Sequence, residues 1–177
     1  LNKGDIIAAS QWYEKALIID NNYAPGLNNL AKLKRQSGAN KEAIDLFKRA
    51  IQADPQLIQA YLGAASSLIA LRSLDQAEAV AKKALEYNKS APGINEILGI
   101  ICQKKDNLEQ AIEYYQKELK INPKASNSLL NFGLLLLQKG RTGEAIESLT
   151  KAAAINPSKQ CSLLLAKAYQ NIGQFNE

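Results

Sequence analysis

The sequence predicts an all-α chain in which helical hairpins are stacked as an array, about ten helices in all. Three observations carry this. Ala9, Ala43, Ala77, Ala111 and Ala145 recur at a strict interval of thirty-four residues, which is one supersecondary unit copied along the chain. Tyr13, Phe47, Ala81, Tyr115 and Leu149 follow four residues later, then Ala16, Ala50, Ala84, Glu118 and Ala152 after three more. Spacings of four and three place each trio on one helical face, where small residues let a neighbouring helix approach around a larger one.

The elements follow in order. Residues 1–23 read as the second helix of a hairpin, carrying Ala9, Tyr13 and Ala16. Full hairpins follow at 24–57, 58–91 and 92–125, then one that is a residue shorter at 126–158, and a closing first helix at 159–177. Each full unit opens on a helix with its own apolar stripe: Leu27, Leu30 and Ala31; Tyr61, Ala64, Ala65 and Leu68; Leu98, Gly99 and Cys102; Leu129, Phe132, Gly133 and Leu136. The shortened unit brings Leu165, Ala166, Tyr169 and Gly173 into register. Gly38 and Gly140 stand where a first helix should stop, and Pro55, Pro123 and Pro157 follow the second helices, as stop signals should. In the second unit Lys89 takes the proline's place, and the proline has moved to Pro92.

With 177 residues, 46% hydrophobic and 22% charged, the chain is long enough to bury a continuous core. Ten glycines and five prolines are too few and too evenly placed for an interdomain linker, so one domain is expected, cut from something longer because it opens without methionine and closes as a helix begins. No purely apolar stretch exceeds the four residues 134–137, far below the ~20 needed to span a bilayer. Cys102 and Cys161 fall at unlike repeat positions and read as reduced core thiols. The compartment stays open, with the cytoplasm favoured.

These residues resemble the tetratricopeptide repeat family, whose thirty-four-residue pattern runs large apolar, Leu-Gly/Ala, then Ala, aromatic, Ala and Pro. The resemblance implies an α-solenoid coiled into a right-handed superhelix, first helices lining the concave side. Departures from the pattern are Asn95 for a large apolar residue, Lys34 for tyrosine and Glu118 for a small residue. Glu118 is expected to swing its carboxylate to solvent over a shallow part of the interface.

Enzymatic chemistry is not expected of this segment. Histidine is absent, which removes the commonest general base and metal ligand together. No metal and no cofactor is expected, since cysteines and carboxylates lack ligand spacing. Gly140, Arg141 and Gly143 do not form a phosphate loop, and Glu109 and Glu113 lie one turn apart as surface residues do. A charge of +5 favours anionic partners in general, but the basic clusters at Lys32 to Arg35, Lys82 and Lys83, and Lys104 and Lys105 lack interleaved aromatics, so nucleic acid is not expected. Asn88-Lys89-Ser90 matches a glycosylation acceptor, a pattern common by chance.

The resemblance places partners in the concave groove. The facing positions are Asn28, Lys32 and Arg35, with Asn29 alongside; Leu62, Ser66 and Ile69; Glu96, Ile100 and Gln103; Leu130, Leu134 and Leu137, with Asn131 alongside; and Leu163, Lys167 and Gln170. The leucines make the fourth unit's first helix apolar nearly all round, so either neighbouring first helices cover them or a partner does. The leading expectation is a protein-interaction scaffold holding a protein's peptide or helix in this groove. The family's carboxylate clamp is not expected, because Asn28 and Lys32 stand in reverse order and Gly63, Gly93 and Ile97 occupy other clamp places. Asn29 and Asn131 match rungs of an asparagine ladder that Gly63, Ile97 and Leu164 interrupt, which leaves the recognition arm of a protein glycosyltransferase as an alternative. Self-association is another, through Ile6, Ile7 and Trp12 at one end and the open side of the final helix at the other.

Overall fold

The computed structural model describes residues 3–174, the side chain of Ile6 lying outside the described residues. It contains ten α-helices: α1 Lys3–Ile19, α2 Ala24–Gln36, α3 Asn40–Ala53, α4 Ile58–Ala70, α5 Leu74–Tyr87, α6 Ile94–Lys104, α7 Leu108–Ile121, α8 Ser126–Gln138, α9 Thr142–Ile155 and α10 Lys159–Gln174. Among the described residues there is no strand, and no helix is long and apolar enough to cross a membrane. The chain forms two compact units, Leu1–Ile97 and Leu98–Glu177, divided within α6.

Two local devices repeat with the helices. The first closes each hairpin turn: Gly38, Arg72, Asp106 and Gly140 all hold positive φ, at 84°, 60°, 62° and 71°. The next residue's amide then bonds five residues back, from Ala39 to Lys34, Ser73 to Leu68, Asn107 to Cys102 and Arg141 to Leu136, at 2.8–2.9 Å. This is the left-handed helix stop that satisfies otherwise orphaned carbonyls. The expected glycine stops are therefore two instances of a four-fold feature, and arginine and aspartate take the same conformation without glycine's freedom.

The second device follows each second helix. Asp20, Asp54, Asn88 and Asn122 accept through Oδ1 from the amide two residues on, at 2.9–3.2 Å, and so turn the chain towards the next helix. Asn156 continues this interval, and α10 starts three residues after it where α2, α4 and α8 start four after theirs. The missing residue of the short unit lies there. At Pro92 the register departs differently: α6 starts only at Ile94, after Gly93 with φ 85°.

In the first unit the core gathers Leu27, Ala31, Ala43, Phe47, Ala50, Ala60 and Ala64, one aromatic ring among alanines of α2, α3 and α4. In the second, Cys102, Ala111, Ile112, Tyr115 and Leu135 form one cluster and Leu129, Leu149, Ala152, Cys161 and Leu164 another. Small residues set the helix spacing. Beside Gly99 lies the Tyr115 ring and beside Gly133 lies Leu149, each so near that a Cβ on the glycine would meet it at 2.7 and 2.6 Å.

Glu118 corrects an expectation. It is only 1% exposed, with an interaction of its own in that setting, so its carboxylate does not swing to solvent. The site is deep, because residues of this face are buried in every full second helix: Ala50, Ala84 and Ala152 occupy the same repeat position.

Candidate functional site

The expected groove residues come from first helices, and each unit is described by itself. In the first unit α2 and α4 are neighbours. Their facing residues Asn29, Lys32, Leu62, Ser66 and Ile69 are half-buried, as is Glu96 on α6, while Arg35 is exposed. Leu62 leans on the Gly93 turn, its Cδ2 lying 3.4 Å from where a Cβ would stand. Asn28 departs from the expected arrangement: only 4% of it is exposed, its Nδ2 donates to Asn29 Oδ1 at 3.4 Å, and its own Oδ1 has no hydrogen-bond partner. It sits one layer below the surface beside Asn29, whereas its counterparts Leu62, Glu96 and Leu130 are half-buried.

In the second unit α8 lies between α7 and α9 and also meets α10. Ile100 and Gln103 on α6 are half-buried, Ile100 against the Tyr115 cluster, and Gln103 Oε1 accepts from the Tyr115 hydroxyl at 3.1 Å. Gln103 therefore has a structural bond as well as an open side. Leu130, Leu134 and Leu137 are half-buried and pack against the cluster that includes Cys161 and Leu164 of α10. The neighbouring first helix covers part of this apolar strip and leaves part open, and Asn131 beside it is likewise half-buried.

On α10 the strip continues. A hollow of about 460 Å³ is lined by Lys159, Gln160, Leu163, Leu164 and Lys167, with Leu163 54% exposed on its floor. Leu163 and Lys167 were legible from the repeat register; Lys159 and Gln160 were not, because they belong to the first turn of α10, just after the shortened connection. A smaller space of about 170 Å³ opens beside Leu130, Asn127 and Ser158, with buried Cys161 in its wall. Burial pushes the Cys161 thiol above its ordinary pKa, and its Sγ donates to Leu149 O at 3.1 Å, so it is a protonated packing group there.

Charged pairs gather at the exposed α8–α9 turn. Lys139 Nζ reaches Glu109 Oε1 at 2.6 Å and lowers that carboxyl's pKa, and Arg141 does the same for Glu144 through two bonds of 2.7 and 2.6 Å. Exposed pairs of this kind add little to stability. Among the described residues no group of three or more His, Cys, Asp or Glu side chains is placed to hold a metal ion.

A repeated hairpin with small-residue helix contacts and half-open first-helix faces is the architecture of a repeat scaffold. Residues 35–101 and 107–160 both match the tetratricopeptide repeat family, and the chain belongs to it. No curated protein matches the chain. Among solved structures it is similar to MamA (26% identity, covering 86% of this chain and 90% of that one, TM-score 0.72). It is also similar to YrrB, described as a TPR protein with an unusual peptide-binding site (22%, 93% and 84%, 0.66), and to pilF of Pseudomonas aeruginosa (22%, 98% and 81%, 0.84). Repeats of this family typically serve as interaction modules and scaffolds for proteins and peptides.

Proposed function

We propose that this chain is a protein-interaction module whose first helices hold an acidic, apolar peptide or helix of a partner protein. The observation that carries the reading is the strip on α8 and α10: Leu130, Leu134 and Leu137 stay half-open on a firm core, and exposed Leu163 lies between Lys159 and Lys167. Leucines at helical spacing suit the anchors of an amphipathic segment, and the lysines suit carboxylates at its margins. In the first unit α2 carries Lys32 and Arg35 and the neighbouring α4 carries Leu62 and Ile69. That a fold relative, YrrB, is described by its peptide-binding site is consistent with this use of the scaffold.

The test is selection from a random-peptide display library on the 177-residue chain, followed by titration of a selected peptide into variants. Leu163→Ser should weaken binding about tenfold, the order expected for an apolar anchor worth ~1–2 kcal/mol. Lys159→Glu with Lys167→Glu should reverse the preference for acidic peptides. Both variants change exposed side chains, so circular dichroism should stay as in the parent. Selected peptides that bind all variants equally would refute this groove.

A further inference from the structure

We infer that the hollow between α8 and α10, beside Leu130, is a specificity site that takes one neutral carboxamide side chain, asparagine or glutamine, of the partner peptide. This rests on the groove reading above and adds to it a residue type that the peptide must carry.

The hollow goes with the shortened connection. Tyr23, Leu57 and Ala125 stand directly before α2, α4 and α8, three residues after Asp20, Asp54 and Asn122. Leu57 packs there against the first unit's core. Before α10 one residue is missing. Ser158, only two residues after Asn156, stands next to the helix, and its Oγ accepts from the Cys161 amide at 3.2 Å. A short hydroxyl group thus takes the place of an apolar side chain, and about 170 Å³ stays open where α8 starts, α9 ends and α10 starts. A cavity of ~150 Å³ holds a benzene molecule, so one side chain has room here.

The lining sets the chemistry. Asn127, Asn156 and Gln160 bring three carboxamides, Ser126 and Ser158 bring two hydroxyls, and no lining residue is charged. Cys161 stays in the wall, its Sγ donating to Leu149 O at 3.1 Å. These walls come from three consecutive helices, α10 giving only its first turn. Two helix starts and one helix end border the space, so backbone donors and acceptors add to the amides.

A carboxamide is the side chain that both donates and accepts without carrying charge, and so it answers such a lining. A carboxylate or an ammonium group would lose water with no opposite charge in the lining, and an apolar side chain would leave amides unpaired. Leu130 belongs both to this hollow and to the apolar strip, so the carboxamide enters next to the peptide's apolar anchor.

The experiment sorts a random-peptide display library on the 177-residue chain and measures the selected peptides by calorimetry. Binders should share an asparagine or glutamine at a fixed spacing from their apolar anchor. Replacing that residue by alanine should weaken binding about five- to tenfold, and glutamate or leucine in its place should do no better. Asn127→Ala with Asn156→Ala, both at exposed positions, should weaken the carboxamide peptide by a similar factor and leave its alanine version unchanged. Circular dichroism should match the parent, and Asn127→Ala alone should show part of the loss. Binders that need Leu163 but share no carboxamide, that prefer a carboxylate there, or that ignore the asparagine substitutions would overturn the inference and leave the groove reading standing. Carboxamide binders weakened by Asn127→Ala but not by Leu163→Ser would keep the hollow and overturn the groove. A library without binders would refute both.

Discussion

The ring of Tyr115 lies against Gly99, its Cε1 2.7 Å from where a Cβ would stand, while its hydroxyl reaches Gln103 Oε1 at 3.1 Å. A ring held at its far end has little room to yield. Gly99→Ala gains up to ~1 kcal/mol of helix propensity but overpacks the site by ~1–3 kcal/mol. The variant should be destabilised by about 1–2 kcal/mol in urea unfolding followed by helix signal. Equal or higher stability would mean that helices α6 and α7 move apart at no cost.

Arg72 and Asp106 should behave in the opposite way. Both adopt the left-handed conformation that Gly38 and Gly140 adopt at the same repeat position, at a strain of the order of 1 kcal/mol for a residue with a Cβ. Arg72→Gly and Asp106→Gly should each stabilise the chain by roughly 0.5 kcal/mol, the relief of strain exceeding glycine's added unfolded entropy. Thermal unfolding of the single and double variants measures this, and a lower midpoint in both would show that side-chain contacts of Arg72 and Asp106 outweigh the backbone strain.

These turns also show what was readable in the residues and what was not. Repeat spacing, helix pairing and the buried small faces follow from Ala43 and its copies Ala77, Ala111 and Ala145, all fully buried, because a close helix contact demands a small residue there. The hairpin stops were visible only where glycine marked them. Positive φ at Arg72 leaves no trace in residue type, and at Asp106 only the weak one that aspartate tolerates the left-handed region better than most residues. Glu118 was misplaced because a polar residue type suggests solvent, yet the repeat position decides burial: Ala50, Ala84 and Ala152 are buried there too. Asn28 is a different case, since its counterparts Leu62, Glu96 and Leu130 are half-buried and the register gives no sign of its deeper burial. The Lys159 and Gln160 margin of the α10 hollow depends on where a helix starts, the least legible feature of a shortened unit.

The aspartate or asparagine closing each second helix carries a further expectation. Asp54 Oδ1 accepts from the Gln56 amide at 2.9 Å and turns the chain into α4. Asp54→Ala removes the acceptor and should cost ~1 kcal/mol, whereas Asp54→Asn keeps it and should be near neutral. Urea unfolding of the pair checks the assignment; equal loss in both variants would place the effect in the aspartate's charge.

Alkaline pH should weaken the first unit through Tyr61. Its ring is buried and lies 6.1 Å from that of Tyr87, and its hydroxyl donates to Pro55 O at 3.1 Å. Burial, with Tyr87 adding to it, raises the pKa from 10.0 to about 12. Folded chains therefore hold the proton more tightly than unfolded ones. The stabilisation is complete below the unfolded value near 10 and is lost as pH climbs toward 12, up to roughly 3 kcal/mol across that window. Tyr61→Phe loses the Pro55 bond, costing ~1 kcal/mol at neutral pH, but has no proton to release. Its unfolding free energy should consequently fall less steeply than the parent's above pH 10, so that the two curves converge. Parallel curves through that window would place the alkaline sensitivity in other groups.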